Sequence, residues 1–313
     1  MQGISLGYLL PTREQVMEGR PEAAPLLRLA EQAEDLGFSS VWVGDSLLAR
    51  PRHDPLTLLG GVAGRTKRVL MGTAVLLPAL RNPVVLAHQV ATLDQVSEGR
   101  LILGVGIASD NQAIRDEFMA AGVPFEGRVG RMMEGLRLCK ALWSGKAVDW
   151  NGRWTVKAGV LGPTPHRSGG PPLWYGGRSE AALARTAKFF DGWFPNHAEP
   201  TRFAAEFAQI HALAHAAGRV GGVRDGATYL TLAIDDDAAR AGERMDAYMA
   251  RYYNQPAAAM RARQVNYAGP AEGAAKLLSD YAAQGATHLV LRFAGDHARQ
   301  MQAVAKIRAA LGW

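Results

Sequence analysis

Cysteine is nearly absent. Cys139 is the one cysteine in 313 residues, so neither an internal disulfide nor a cysteine-built metal cluster is possible. It lies in RVGRMMEGLRLCKALW, where Met132, Leu136, Cys139 and Trp143 recur at helical spacing. That pattern marks a core thiol rather than a redox group. Long apolar runs are missing as well. The stretch from Val69 to Leu80 is broken by Gly72, Thr73 and Pro78, and is too short to cross a bilayer. The opening segment MQGISLGYLLPT has no basic leader and only a brief apolar run, so neither a signal peptide nor a membrane anchor is expected, and a cytoplasmic location is the default. Basic runs are lacking too. The 35 Lys and Arg against 29 acids give a net charge of +6, but they are scattered singly, which argues against nucleic acid as a partner. The surplus suits solubility and one anion site.

Several chemistries are excluded in the same way. No serine sits in a nucleophile-elbow pattern, and no carboxylate pair is spaced for glycoside hydrolysis. His211 and His215 are four apart, but Ala-Leu-Ala lies between them without a glutamate, so a solvated helix face is expected and no metal. The dinucleotide fingerprint fails, because GVGIAS has Gly104 and Gly106 but Ser109 where a third glycine belongs. With no nucleophile and no metal ligands in view, a bound organic cofactor becomes the source of chemistry.

What the chain does have is alternation. Short apolar runs at Ile4 to Leu9, Ser40 to Val43, Arg68 to Leu77, Leu101 to Val105, Leu173 to Tyr175, Gly192 to Pro195, Ala227 to Ile234 and His288 to Phe293 read as strands. Helical patterns separate them. One from Glu22 to Leu36 stops at Gly37, and one opens on Asn82-Pro83, a good cap followed by a good first residue. Eight strands alternating with helices predict one domain over residues 1 to 313, a single (β/α)8 TIM barrel. Residues 148 to 172, rich in Gly, Pro and Trp, read as a rim insertion, and 235 to 267 as an extra helical segment over the mouth.

In such a barrel the site is built by loops at the carboxyl ends of the strands. The candidates are therefore Tyr8, Asp45 and Ser46, Thr73 to Val75, Gly106 and Ile107, Gly176 to Ser179, His197 and Arg292, with His53 near the mouth. Gly176-Gly177-Arg178-Ser179 is the most interpretable. Two glycines admit a ligand to the backbone, Ser179 suits a helix cap, and the helix N-terminus and Arg178 together suit a phosphate. A tight turn without a ligand is the plainer alternative. Asp45 could equally cap a helix, and Thr73 to Val75 could be plain core strand.

The strings LAEQAEDLGFSSVWVGDS, TKRVLMGTAVLLPALRNPVVLAHQVATLDQVSEGRLILGVG, EFMAAGVPFEGRVGRMMEGLRLCKALW and PPLWYGGRSEAALARTAKFFDGWF resemble the bacterial luciferase-like flavin-dependent oxidoreductases. They cover most of residues 1 to 195; the last third resembles that family only in its rhythm. The resemblance implies a ring lying across the strand ends near a bulge at Ala74-Val75, where members often have a non-proline cis peptide. It implies cofactor contacts from Thr73, Ala74, Val75, Gly106, Ile107 and the turn Gly176 to Ser179. Asp45 and Ser46 become the catalytic candidates, and Tyr8, His53, His197 and Arg292 the substrate pocket. Ser46 stands where some members have a histidine base. His88, Gln89 and Asp94 match a helix behind the site. The leading expectation is a monooxygenase using reduced FMN and dioxygen on a small organic substrate, with a separate flavin reductase as partner. The alternative is hydride transfer by an 8-hydroxy-5-deazaflavin, coenzyme F-420 (F420), and a further one is flavin binding without turnover. A homodimer is expected, using Trp42, Leu47, Leu48 and the insertion.

Overall fold

Strands and helices alternate along the chain as the apolar patterning predicts. The computed structural model describes residues 4–196, 199–219 and 221–313. β1 (Ser5–Leu9) leads into α1 (Thr12–Met17) and α2 (Ala23–Asp35), β2 (Ser40–Val43) into α3 (Pro55–Arg65), and β3 (Leu70–Thr73) into a 3-10 turn (Pro78–Leu80) and α4 (Pro83–Val96). β4 (Leu101–Val105) is followed by α5 (Gln112–Ala120) and α6 (Arg128–Leu142). A hairpin, β5 (Val148–Asn151) and β6 (Thr155–Gly159), precedes β7 (Leu173–Tyr175) and α7 (Glu180–Phe189). β8 (Gly192–Trp193) and α8 (Pro200–Ala216) come next. After β9 (Asp225–Ile234) the chain forms α9 (Ala238–Tyr253), α10 (Ala257–Arg261), β10 (Asn266–Gly269) and α11 (Ala271–Ala283). It ends with β11 (His288–Phe293) and α12 (His297–Leu311).

The strands β1, β2, β3, β4, β7, β8, β9 and β11 pair in parallel around a closed ring, the (β/α)8 barrel. β8 pairs only with the first two residues of β9, at Asp225 and Gly226. Further along, β10 takes that edge of β9 from Thr231 to Ile234, wedging a ninth strand into the mouth. No apolar run announces it, since Asn266–Gly269 reads NYAG. The extra helical segment expected over 235 to 267 is α9 and α10. The expected third strand is shorter than its apolar run, because after Thr73 the chain turns through Ala74-Val75 before Leu76 bridges to Val105.

Large and small residues alternate inside the barrel. Trp42 and Trp174 lie with ring centres 5.3 Å apart, and Phe194 is 5.0 Å from Trp42. Glycines make the room. A Cβ at Gly72 would stand 2.2 Å from the Trp42 ring, and one at Gly192 2.4 Å from Trp174. Trp42 is therefore a lumen-filling residue, fully buried, and cannot serve a dimer surface. His288 meets Trp174 edge-on at 4.9 Å, and burial pushes its imidazole down to about 4. Cys139 is core, as expected: its thiol lies 3.2 Å from the Pro83 carbonyl, and burial pushes it up to about 12.

Capping follows the sequence signals. Asn82 accepts from Val84 and Val85 N–H ahead of α4, and Ser179 accepts from Ala182 N–H ahead of α7. The insertion folds onto the flank of α6, with Arg153 on Glu134 and Arg131 over the Trp154 ring. Among the described residues no helix is long and apolar enough to cross a membrane.

Candidate active site

Glycines end three of the barrel strands at the carboxyl face: Gly44, Gly106 and Gly176. Between two of them sits Val75, the residue after a cis Ala74–Val75 peptide. A Cβ at Gly106 would stand 2.6 Å from Val75 Cγ2. One at Gly176 would stand 3.2 Å from Val75 Cγ1 and from the Phe194 carbonyl oxygen. The two methyls of Val75 thus use the space that side chains at 106 and 176 would need. The result is a floor with few side chains, suited to a flat ligand. Thr73 and Ile107 do not join it. Thr73 Oγ1 donates to the Gly104 carbonyl at 2.6 Å, tying β3 to β4, and Ile107 packs in the outer core while its carbonyl accepts from Arg128.

The two catalytic candidates are committed to the scaffold. Asp45 Oδ2 accepts from Leu77 N–H at 2.8 Å and from Arg81 at 2.5 Å, while Oδ1 accepts from Arg81 at 3.0 Å. Its side chain is 1% exposed, and Arg81 also reaches Asp54 at 3.2 Å. Such a fork-to-fork pair fixes geometry and leaves little lone-pair capacity for proton transfer. Ser46 donates to Glu117 at 2.7 Å and accepts from Arg50 N–H at 2.9 Å. The same Glu117 oxygen takes the N–H groups of Leu47, Leu48 and Ala49. Both catalytic candidates, Asp45 and Ser46, thus position loops through the contacts they make here.

The turn after β7 divides its labour differently from the expectation. Ser179 caps α7, and the first turn of that helix presents N–H groups without intrahelical partners. Arg178, expected to grip a phosphate, instead donates to both oxygens of Glu206 on α8 at 3.0 Å each. A short spacing in sequence could not reveal this, since Glu206 is 28 residues away on the next helix.

Two pocket candidates, Tyr8 and His53, are engaged elsewhere, and a third lies outside the described residues. Tyr8 points outward from the barrel into the helix layer, stacked on Phe293 at 5.5 Å and hydrogen-bonded to His297 Nδ1 at 2.7 Å. Its position at a strand end was right, but strand alternation puts it on the outer face. Burial raises its phenol above the ordinary tyrosine range. His53 is tied by Nε2 to the Pro21 carbonyl at 2.7 Å. His197 lies outside the described residues.

Arg292 does face the mouth, in a setting the sequence did not suggest. It is 2% exposed, and its acceptors among the described residues are neutral: Thr231 Oγ1 at 2.8 Å, Gln264 Oε1 at 2.8 Å and the Tyr253 hydroxyl at 2.9 Å. The rings of Tyr229, Tyr248, Tyr252 and Tyr253 surround its guanidinium at 4.8–5.5 Å. Three of these tyrosines belong to α9. That helix is held across the mouth by Arg240 and Arg244 on the Asp235 carboxylate, and by Met245 and Met249 buried beneath it. Three further arginines reach the same tyrosines. Arg13 lies 4.7 Å from the Tyr252 ring centre, Arg50 lies 5.5 Å from that of Tyr253, and Arg52 reaches the Tyr252 hydroxyl at 3.4 Å. Burial, together with Arg52 and Arg50, pulls Arg13 below the ordinary arginine range. The signals that the sequence carries for this cluster are the string ARPRHD in the loop between β2 and α3 and the Tyr252-Tyr253 pair. A separate cavity of about 570 Å³ lies beside this cluster, between α1, α9 and the start of α12, lined by Glu14, Tyr248, Arg251 and His297 among others. It is off the barrel axis and away from the glycine floor.

This geometry agrees with the comparisons. The family model described as luciferase-like monooxygenase matches residues 4–311. The chain is 33% identical over 261 residues to an F420-dependent glucose-6-phosphate dehydrogenase of Kineococcus radiotolerans, covering 77% of this chain and 72% of that one. It is 30% identical over 220 residues to a 5,10-methylenetetrahydromethanopterin reductase of Methanolobus tindarius, covering 69% of this chain and 64% of the relative. A monooxygenase structure from Streptomyces bottropensis superposes with a TM-score of 0.83 at 22% identity, over 99% of this chain and 100% of that one. An F420-dependent secondary alcohol dehydrogenase superposes with a TM-score of 0.84 at 20% identity, over 99% of both chains. With strands, glycine floor and a family match running from residue 4 to residue 311, the chain belongs to the luciferase-like monooxygenase family.

Proposed function

We propose that this protein is an F420-dependent oxidoreductase that moves a hydride between the deazaflavin and an organic substrate in the barrel mouth. The observation that carries the reading is the 33% identity over 261 residues to an F420-dependent dehydrogenase, taken with the floor at Gly106 and Gly176, where Val75 supplies the one side chain against either glycine. The residues present fit the group: an open floor for a planar ring, and the Ser179-capped end of α7 for a phosphate. When bound, the coenzyme supplies the hydride chemistry.

The chain's own residues do the rest. Val75 supports the floor from beneath, and the N–H groups opening α7 receive the anion. Asp45 acts as a positioning residue: by fixing Leu77 N–H and Arg81 it holds the segment that follows the Ala74–Val75 turn. The tyrosines of α9 cover the mouth and exclude water, which strengthens every electrostatic contact beneath them.

One observation favours a second reading, a monooxygenase using reduced FMN and dioxygen with a separate reductase. The residue after Asp45 is Ser46, whose hydroxyl is committed to Glu117, so no imidazole stands there to serve as a base. The test is anaerobic incubation with F420 and a panel of alcohols, aldehydes and phosphorylated sugars, following the visible absorbance of the coenzyme. Substrate-dependent bleaching without dioxygen is expected. Turnover only with reduced FMN, accompanied by oxygen uptake, would replace the reading with the second.

A further inference from the structure

Four guanidinium groups converge on the adjacent rings of Tyr252 and Tyr253, whose centres are 4.8 Å apart. They come from the first turn of α1 (Arg13), the loop after β2 (Arg50, Arg52) and the end of β11 (Arg292), all at the carboxyl face. Among the described residues none of the four has a carboxylate within ion-pair distance. The carboxylates nearby are spent elsewhere: Glu14 accepts from the Tyr248 hydroxyl at 2.6 Å, and Asp45 is bound by Arg81.

Arg292 is satisfied by neutral acceptors and braces the tyrosines. Arg13 is not satisfied. Its Nε and Nη1 are enclosed without a hydrogen-bond partner. The Arg50 guanidinium rests only on the Tyr253 face in the contacts described, and Arg52 has the Arg50 carbonyl and the Tyr252 hydroxyl. Buried like charges repel, and enclosed donors without acceptors cost free energy. An anion bound there would offset both penalties at once. Guanidinium forks match the oxygens of phosphates and carboxylates in particular.

We propose that Arg13, Arg50 and Arg52 bind a phosphate monoester or carboxylate group carried by the substrate, against the backing of Arg292, Tyr252 and Tyr253. This rests on the reading of the barrel mouth as the site of an F420-dependent oxidoreductase, and it narrows the substrate to an acid. The cluster draws on β1, β2 and β11, whereas the Ser179-capped helix follows β7, so the mouth carries two separate anion positions.

The experiment is a calorimetric titration of inorganic phosphate into the F420-loaded protein and into the coenzyme-free protein, for wild type, Arg13→Gln and Arg50→Gln. Among the described residues the Arg50 side chain makes no hydrogen bond, so its variant keeps the test valid should Arg13→Gln fold poorly. Saturable binding to the loaded wild type is expected, weakened at least fivefold by either arginine variant. Arginine-sensitive binding to the coenzyme-free protein that disappears on loading would assign the cluster to the anionic tail of the coenzyme and overturn the substrate assignment. Absent binding, or binding indifferent to both arginine variants, would overturn the site itself. Failure of F420 to bind, with arginine-sensitive phosphate binding intact, would remove the coenzyme reading and leave the anion site standing.

Discussion

Arg178 and Glu206 meet through two hydrogen bonds of 3.0 Å, Nε to Oε2 and Nη2 to Oε1, joining the turn after β7 to α8. Glu206 also takes Arg202 at 2.9 Å, so the carboxylate organises two cations of its own layer. We therefore propose the backbone of the turn, rather than the Arg178 side chain, as the contact for a phosphate. Arg178→Ala is predicted to change F420 affinity by less than about threefold while costing about 1–2 kcal/mol of stability. Gly177→Ala is predicted to do the opposite. Its Cβ would stand 2.9 Å from Ala182 Cβ and from the Tyr175 ring, distorting the turn, and coenzyme affinity should fall at least tenfold. Fluorescence titration and thermal melting of the two variants separate these outcomes.

Asp45 and Arg81 form a buried pair, 1% and 14% exposed at their side chains. A free catalytic carboxylate is removed at little cost to stability, whereas breaking a buried pair leaves a charge without its partner. Asp45→Asn is predicted to lower stability by on the order of 3 kcal/mol, with Asp54 retaining part of the Arg81 contact. A denaturation midpoint unchanged from wild type would contradict this positioning role for Asp45.

Glu117 holds the loop after β2 with a single oxygen, which accepts from Ser46 and from three successive backbone N–H groups. Glu117→Gln keeps the shape but weakens those charge-assisted bonds. The amides of Leu47, Leu48 and Ala49 should then exchange with solvent at least tenfold faster, read by hydrogen exchange. Because Arg50 and Arg52 hang from this loop, phosphate affinity should weaken with it.

The barrel was legible because its signals are local. Short apolar runs, the Asn82-Pro83 start and the Ser179 cap each act within a few residues. Gly106, Gly176 and the Ala74–Val75 turn were legible through resemblance, and the structure brings them to one floor. What escaped were contacts made between distant segments. Asp45 with Arg81, Ser46 with Glu117 and Arg178 with Glu206 span 36, 71 and 28 residues. Spacing along a chain carries no information about such partners, so a strand-end polar residue looks free until its partner is seen. Tyr8 shows the complementary limit, since its strand was identified but its face was not.

His288 gives the account a pH signature. Burial holds its imidazole near 4 in the folded protein, below the ordinary histidine value of 6.5. Above that value the residue is neutral in both states. As pH falls from about 6.5 toward 4, the unfolded chain binds a proton that the folded chain refuses, so stability is lost across that window and this group adds no further loss below it. The expected loss is on the order of 3 kcal/mol at pH 4. His297 is shifted in the same direction by burial. Melting curves of wild type and His288→Leu between pH 7 and about 4 should converge as pH falls; parallel curves would contradict the assignment.

The central claim is that the glycine floor beside Val75 receives a deazaflavin or flavin ring. Its most direct test is a fluorescence titration of the purified protein with F420 and, separately, with FMN, for wild type and Gly176→Val. Saturable, stoichiometric binding of F420 in preference to FMN is predicted for wild type, weakened at least tenfold when a side chain is placed at 176. Equal binding by the variant, or binding of neither coenzyme by wild type, would contradict the claim.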